Sequence, residues 1–554
     1  MRLRAVASSR ELVLLFSLCF GAYAADVPAS PPAGQQRASQ SAELQALRAQ
    51  LAAQQAQIEK LQRAIEAQQK SLDQQTKTAS TKESDANQIA STTPMVPVAM
   101  AKANTAVTPA NGAAQSAEAK SPLSFGIGDA YITPVGFMDF TTVTRSTVSG
   151  SGISTNFGSI PFGNTTAGNM SETRFSTQNS RIGLRIDALV HGAKVLGYLE
   201  SDFLGFAPGN IAVTSNSDSL RMRLYFADVR KGPIEVLAGQ SWSLLTPNRK
   251  GLSPMPSDLF YSQNVDTNYQ VGLLWSRDSQ FRVVYHPSDT VAMGISLENP
   301  EQYIGGSGGA GPVVLPTSLQ ATYANELNNG GTTLNVPNLH PDIAAKVAFD
   351  PKSSAIPIHF EVGGVLRSFR TYNPADLEHF TTTGGGALAN VILEPVKNFR
   401  LLSMNYWSDG GGRWIFGLAP DLVVRGDGGL SLIHSGSTVD GVELQVKNTL
   451  FSMYYGGVYI GRNAVIDPSS GKLVGYGYTG SSNGQNRTIQ EGTFNINQTL
   501  WKDARYGALN LMFQYSYISR NPWYVATGTP ANASQNVGFF DLRYTLPGSA
   551  PILK

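Results

Sequence analysis

The sequence predicts an all-β fold, a transmembrane antiparallel β-barrel, and three observations support that class. Between residues 181 and 187, apolar side chains alternate with charged residues or glycine, which is typical of a strand with two different faces. The chain begins with the pattern of a secretion signal. Its composition is 42% hydrophobic and only 15% charged, yet no stretch approaches the ~20 apolar residues of a spanning helix. An exported, apolar chain of this kind can pair all its backbone hydrogen-bonding groups in the membrane by forming a closed barrel.

The alternation returns at residues 219–226, 441–447 and 509–517. In the first of these segments, the alternation predicts that the apolar side chains face lipid, namely Leu220, Met222, Leu224 and Phe226. The side chains between them would face water, namely Arg221, Arg223 and Tyr225. The interval from Leu123 to Leu546 has room for about 16 strands of about ten residues with their connections. The same length also allows 14 or 18 strands.

The N-terminus predicts secretion, which supports the location expected for such a barrel, the outer membrane of a Gram-negative cell. Residues 1–24 have the features of a signal peptide, with Arg2 and Arg4 before an apolar core and a small-residue cleavage site at 22–24. The only cysteine, Cys19, lies inside this segment, so the mature chain forms no disulfide.

A heptad pattern follows the signal peptide. The a positions are occupied by apolar residues spaced seven apart, Leu44, Leu51, Ile58, Ile65 and Leu72. This pattern predicts an α-helical, self-associating coiled coil over residues 41–78, in the periplasm, of either two or three strands. A single helix packed on a domain would show a wider apolar stripe. Residues 79–120 have few large apolar side chains and are predicted to be a disordered linker, and the barrel is predicted to occupy residues 121–554.

Glycine-rich or polar stretches predict the connections between strands. Long external loops are predicted at 147–172, 207–218, 304–338, 371–388 and 467–487, and short periplasmic turns at Lys231-Gly232-Pro233 and Asp350-Pro351. The longest insert, 304–338, is predicted to fold inward and narrow the lumen. Aromatic residues near strand ends predict membrane girdles, with scattered core positions as the alternative, namely Tyr406, Trp407, Trp414, Trp501, Tyr506, Trp523 and Tyr524.

Arginines on the predicted wet face are the candidate pore-lining residues. They are Arg181, Arg185, Arg221, Arg223, Arg282 and Arg367. Arginine keeps its charge and offers a planar fork that matches a carboxylate, so such a lumen favours organic anions. In the alternative interpretation, these residues pair with Glu200, Asp202 and Asp187 and simply keep the lumen hydrated and rigid.

Other classes of function find little support in the sequence. A net charge of +2 is too small for a nucleic-acid-binding protein. The six histidines form no HExxH pattern or other close pair with metal-ligand spacing. The sequence therefore predicts no enzyme, no cofactor and no metal site.

Several segments resemble the DcaP-like family of trimeric outer-membrane porins, from the coil to the last strand. The matching segments are 135–140 (VGFMDF), 179–183 (NSRIG), 238–243 (AGQSWS), 277–285 (RDSQFRVVY), 296–301 (SLENPE) and 340–343 (HPDI). The resemblance implies a sixteen-stranded barrel, a trimer with an N-terminal periplasmic coil, and diffusion of small anionic solutes such as dicarboxylates.

The sequence thus predicts a passive outer-membrane porin for small anionic solutes. Its partners would be the lipid bilayer with lipopolysaccharide, the solutes, and further copies of the chain. One alternative is a porin for neutral sugars, in which aromatic residues such as Trp242 would form a stacking surface. Another is a barrel-anchored structural protein whose coil contacts peptidoglycan. A barrel-borne hydrolase is a third, and the lack of a catalytic pattern disfavours it.

Overall fold

The computed structural model describes eight ranges of the chain. These are residues 122–205, 219–265, 270–306, 309–323, 326–327, 337–352, 356–416 and 418–547. The predicted signal peptide, coiled coil and linker lie outside the described residues. Within them, no helix has both the length and the apolar character needed to cross a membrane.

The regular elements of the described residues are almost all strands, with short 3-10 turns and one four-residue α-helix, α1 (Gln320–Tyr323). The strands are β1 (Phe125–Ile127), β2 (Ala130–Arg145), β3 (Glu172–Ser176), β4 (Arg181–Val190), β5 (Ala193–Asp202), β6 (Arg221–Lys231), β7 (Ile234–Trp242), β8 (Arg277–Ser288), β9 (Val291–Glu298), β10 (Asp342–Phe349), β11 (Ile358–Asn373), β12 (Glu378–Val396), β13 (Phe399–Asp409), β14 (Leu422–Val424), β15 (Leu430–Leu432), β16 (His434–Val446), β17 (Thr449–Ile460), β18 (Asn463–Ile466), β19 (Leu473–Tyr476), β20 (Asn486–Asp503), β21 (Gly507–Pro522) and β22 (Ala533–Thr545).

The main sheet is a closed antiparallel barrel. It contains 18 strands, of which β1 and β3 pair along parts of β2 while the other sixteen follow one another around the barrel. Closure comes from β22, which pairs with β2 from Val537 opposite Arg145 to Thr545 opposite Phe137. The prediction of a barrel with about sixteen strands is therefore confirmed.

The two ends of the barrel differ in their connections. At one end, which we call the turn end, most strands are joined by two residues, as at 191–192 and 447–448. His191 and Lys447 adopt positive φ angles of 49° and 52°, the backbone conformation that tight hairpins require. At the other end, the loop end, long loops join the strands. They cover residues 146–171, 203–220, 243–276, 299–341, 410–433, 461–485 and 523–532.

The predicted loop at 371–388 is wrong. These residues belong mainly to β11 and β12, which pair without interruption from Ile358 opposite Leu393 to Asn373 opposite Glu378. The glycines that suggested a loop instead allow close strand packing. A Cβ atom on Gly385 would lie only 2.6 Å from the carbonyl oxygen of Val365.

The two faces of the barrel follow the predicted alternation on β4 but not along all of β6. On β4, Ile182 is exposed on the outer face and Arg181 is buried on the inner one. On β6 the pairing with β5 shifts by one residue beside Arg223, which forms a β-bulge. Beyond the bulge, Leu224 faces inward and is 0% exposed, whereas Tyr225 faces outward and is 56% exposed. The predicted orientation of 224–226 is therefore reversed.

Aromatic residues form pairs on the outer face near both ends of the barrel. At the loop end, the rings of Trp407 and Tyr459 stack with centroids 6.4 Å apart, and at the turn end Trp501 stacks on Tyr544 at the same distance. Two of the predicted girdle residues have other positions. Tyr406 and Trp414 are buried inside the barrel.

Candidate functional site: the barrel lumen

The loop between β7 and β8, residues 243–276, crosses the lumen, and we call it the crossing loop. Its two ends meet where the amide of Ser243 donates to the carbonyl of Ser276 at 2.9 Å. Between them, Phe260 is fully buried in a cluster with inward residues of the opposite wall, among them Met404 and Tyr454. The apolar side chains of this loop therefore pack on the inside of the barrel.

A buried ion pair holds the first part of the crossing loop. The Nζ atom of Lys346 on β10 lies 3.0 Å from Oε1 of Glu361 on β11, and both side chains are fully buried. Lys346 also donates to the carbonyl of Thr246 at 2.7 Å, and the amide of Asn248 donates to Glu361 at 3.1 Å. The pair thus binds the loop backbone through both of its charges.

Further along, the crossing loop binds β16 and β20. Arg249 of the loop lies 2.8 Å from Glu443 on β16, and Arg400 on β13 approaches the same carboxylate to 3.1 Å. The amide of Val271 donates to Glu491 on β20 at 2.9 Å. Contacts with β10 and β11 and with β16 and β20 make this loop the candidate constriction.

The sequence had placed the inward-folded loop at 304–338, chosen for its length and glycine content. The described part of that segment packs at the loop end of the barrel. Val314 forms a β-bridge with Gly475, and the hydroxyl of Thr317 donates to Asp467 at 2.8 Å. Leu319 is buried in one cluster with Phe369 of β11, so the segment contacts both other loops and the wall.

Four of the predicted pore residues come together on β4 and β6, the two strands that flank β5, and we call them the arginine ladder (Arg181, Arg185, Arg221 and Arg223). Each forms an ion pair with a carboxylate of β4 or β5. The N–O distances are 3.5 Å for Arg181–Glu200, 2.8 Å for Arg185–Asp187, 2.7 Å for Arg221–Asp202, 2.5 Å for Arg223–Glu200 and 2.8 Å for Arg223–Asp202. The pairing partners suggested by the sequence are therefore present.

The two charges of these pairs differ in their access to water. The side chains of Arg221 and Arg185 are 38% and 18% exposed, whereas that of Asp202 is 0% exposed. Arg181 and Arg223 are nearly buried, with their carboxylates deeper still. The exposed surface of the ladder is therefore guanidinium, with the acids behind it.

The same arrangement, an arginine in front of a more deeply buried carboxylate, recurs at two places that the sequence did not single out. At the crossing loop, Arg249 and Arg400 are partly exposed while Glu443 is fully buried. At the seam of the barrel, Arg543 on β22 lies 2.6 Å from the fully buried Asp139 on β2. Arg543 could have been found from the alternation of the last strand, but Arg249 lies in a loop without periodicity.

The remaining two predicted residues, Arg282 and Arg367, are buried and inward. Arg282 donates to Gln280 at 3.0 Å and to the carbonyl of Trp242. Arg367 lies 2.9 Å from Asp421 and also contacts Asp342. Both side chains thus bind the neighbouring strands and loops.

Arg413, in the loop 410–433, completes a charged cluster with Arg367. It lies 3.3 Å from Asp278 and 3.2 Å from Asp342. Burial opposes its charge, but Asp278 and Asp342 raise the pKa of Arg413 above its usual value. This cluster attaches the loop 410–433 to β8 and β10.

Trp242, the candidate sugar-stacking residue, is surrounded by other side chains. Its ring lies 5.2 Å from Tyr261 and 5.1 Å from Trp275, and the guanidinium carbons of Arg223 and Arg277 lie 5.5 and 5.3 Å from it. The ring is 2% exposed. It therefore offers no open face on which a sugar could stack.

Comparison with known proteins supports the fold. No protein-family model matches the chain, and no curated protein is significantly similar in sequence. Among solved structures, the outer membrane channel DcaP of Acinetobacter baumannii matches with a TM-score of 0.54 at 15% identity, covering 78% of this chain and 100% of that one. The chain has the fold of an outer-membrane channel. The resemblance inferred from the sequence is confirmed at the level of the fold.

Two further solved structures match less closely. The anion-selective porin of Comamonas acidovorans aligns with a TM-score of 0.42 at 14% identity, over 75% of this chain and 100% of the porin. OprB of Pseudomonas putida aligns with a TM-score of 0.40 at 9% identity, over 74% and 94%.

Proposed function

We propose that this protein is an outer-membrane porin through which small anionic solutes, dicarboxylates among them, diffuse passively. The observation that carries the proposal is the order of charges in the lumen, where partly exposed arginines cover buried carboxylates. In the membrane, the turn end would face the periplasm and the loop end would face the outside of the cell, as is usual for barrels of this class.

A solute in the lumen would meet the guanidinium groups before the acids that neutralise them. A unit charge about 8 Å away attracts an anion by about 0.5–2 kcal/mol at effective dielectric constants between those of water and a protein surface. The Nε and Nη2 atoms of Arg185 and Arg221 donate to Asp187 and Asp202, so a solute carboxylate would meet the Nη1 side of each guanidinium. These two residues are therefore the proposed contact points on the ladder.

The buried acids have a role in the same proposal. Conduction requires binding that is favourable enough for entry and weak enough for release. Asp202 accepts hydrogen bonds from both Arg221 and Arg223, so it holds the two guanidiniums and reduces their net charge. A ladder paired in this way favours anions without trapping them.

We further propose that the protein is a homo-oligomer, a trimer as the resemblance implies. The predicted coil at 41–78 would self-associate in the periplasm and join the copies. The barrel itself would be surrounded by lipid and lipopolysaccharide.

The proposed function is tested with proteoliposomes and three solutes of similar size. Succinate, a neutral sugar alcohol and a diamine are compared by the rate at which vesicles swell. We expect succinate to enter fastest, and its advantage over the neutral solute to fall in the variant Arg185→Gln/Arg221→Gln. Arg505→Gln, which removes an exposed arginine in the turn between β20 and β21, is the matched control. Entry of the diamine at the rate of succinate or faster would contradict the proposal.

A further inference from the structure

His359, near the start of β11, is a buried histidine to which the proposed pore gives no role. Its neighbour Phe360 is exposed on the outer face, so His359 and Glu361 point into the barrel. The Nδ1 atom of the ring lies 2.9 Å from Oδ1 of Asp350, in the connection between β10 and β11. The Nε2 atom lies 3.4 Å from Oε1 of Glu361. Both ring nitrogens therefore face carboxylates.

This arrangement matches the charged form of the ring. A neutral imidazole has one donor and one acceptor nitrogen, so it could donate to only one of the two carboxylates, whereas an imidazolium donates from both nitrogens. Together with Lys346, an imidazolium also balances the charges of Asp350 and Glu361. Without its proton, His359 would leave one negative charge in excess at a largely buried place.

The same two carboxylates hold the crossing loop. The backbone amide of Gly251 donates to Oδ2 of Asp350 at 2.9 Å, and the amide of Asn248 donates to Oε1 of Glu361 at 3.1 Å. The ring and the loop thus share both acceptors. A change in the charge of His359 would therefore act on the loop through groups that already bind its backbone.

The two carboxylates differ in how firmly they are held. The side chain of Glu361 is 0% exposed, and Lys346 and the Asn390 amide bind it at 3.0 and 2.9 Å. The side chain of Asp350 is 19% exposed and belongs to a connection at the turn end. Because like charges repel, loss of the proton from the ring would push Asp350 toward water rather than Glu361. Gly251 would then lose its acceptor.

Other charged side chains lie on the elements around His359. They are Glu394 on β12, Lys250 in the crossing loop, Lys352 with its partner Asp289 at the turn end, and Arg282 and Glu298 near Lys346. Within the described ranges, none of these side chains forms an ion pair with the ring, whose ion pairs are with Asp350 and Glu361.

We propose that His359 positions the crossing loop and makes the width of the pore depend on pH. While His359 carries its proton, Asp350 stays beside the ring and holds Gly251. When the proton is lost, Asp350 turns to water, this part of the loop is released, and the candidate constriction widens. The effect on conductance rests on the proposed pore function, whereas the movement of the loop does not.

Single-channel conductance tests the proposal from about pH 5 to about pH 10, a range that begins below the ordinary pKa of histidine. We expect the conductance of the wild type to rise with pH. His359→Gln, which carries no charge, should give the high value throughout, and His359→Arg, which is always charged, the low value. His434→Gln, which removes an exposed histidine beside Asp409 at the loop end, is the matched control and should behave as the wild type.

Two results of this experiment would overturn the proposal. The first is a wild-type conductance that stays constant over the whole range. The second is a rise with pH that persists in both variants of His359, because another group would then carry it.

A second measurement follows the loop itself. The mature chain is predicted to contain no cysteine, so a nitroxide at Ser257→Cys reports on the crossing loop alone, and one at Thr529→Cys, in the loop 523–532, is the control. We expect the nitroxide at position 257 to become more mobile as pH rises. Asp350→Asn keeps an acceptor for Gly251 but has no charge to be repelled, so it should abolish this change.

The nitroxide also separates the two proposals. Unchanged mobility at position 257 over the whole range would overturn the role of His359. A loop that is released as expected, in a pore that does not prefer anions, would contradict only the proposed function.

Discussion

Arginines on the inner face of the barrel fall into two groups that differ in burial and in partners. On β6, Arg221 pairs with a carboxylate of the neighbouring strand and keeps more than a third of its side chain exposed. On β11, Arg367 is almost completely buried and binds Asp342 and Asp421. The first is accessible to a solute, and the second holds a loop to the wall. Residue type and inward orientation alone therefore do not define a pore-lining residue.

The difference arises from what covers each wall. The loop end near β10 and β11 lies under the loops 299–341 and 410–433, which supply Asp421 and several carbonyl oxygens. The ladder on β4 and β6 takes its partners from within the wall itself. Pairing within the wall leaves Arg185 and Arg221 partly exposed to the lumen, whereas Arg367 is buried by the loops that cover it.

The largest loss of stability is expected when an arginine of the buried group is replaced. Arg367→Gln leaves the buried carboxylates of Asp342 and Asp421 without their shared partner, and Arg413 alone remains beside Asp342. Breaking a buried ion pair in this way lowers stability by about 3–5 kcal/mol. Urea unfolding in lipid vesicles measures this loss of stability. A variant as stable as the wild type would show that burial does not separate the two groups.

A smaller effect is expected at Arg249, which belongs to both groups because it is partly exposed and also holds the crossing loop. Arg249→Gln leaves Glu443 with Arg400 and the Tyr454 hydroxyl, so we expect a loss of about 1–3 kcal/mol. Loosening of the loop should also raise single-channel conductance. Arg505→Gln, in the turn between β20 and β21, is the control, and an unchanged conductance would contradict the role of this contact in the candidate constriction.

The smallest effect on stability is expected at the exposed end of the ladder. Arg221→Gln removes a partly exposed ion pair, and Asp202 keeps Arg223, so the loss should be below about 1 kcal/mol. Arg223→Gln is the matched comparison, because it removes a nearly buried group that joins Glu200 and Asp202. Equal stability losses in the two variants would remove the distinction within the ladder.

Much of the fold could be predicted from local patterns. On β4 the period of two was enough to assign both faces. On β6 the letters still alternate through Leu224 and Tyr225, but the bulge beside Arg223 reverses their faces. A bulge depends on the pairing of two strands, so the hydrophobic pattern of one strand does not reveal it.

The site was predictable only where charges interrupt an apolar strand. The ladder met that condition. The crossing loop did not, because the residues that bind it are far away in the chain. The amide of Val265, for example, donates to Gln514, 249 positions later. Glutamine on an alternating strand looks the same in the sequence whether it faces water or receives a loop.

The most direct test of the exposed-arginine account is the reversal potential in planar bilayers under a gradient of potassium chloride. We expect the wild-type pore to be anion-selective, and Arg185→Gln/Arg221→Gln to shift the potential toward that of a non-selective pore. Arg367→Gln, where it still inserts, should leave the potential unchanged because its charge is buried. A cation-selective wild type, or a double variant with the wild-type potential, would contradict the account.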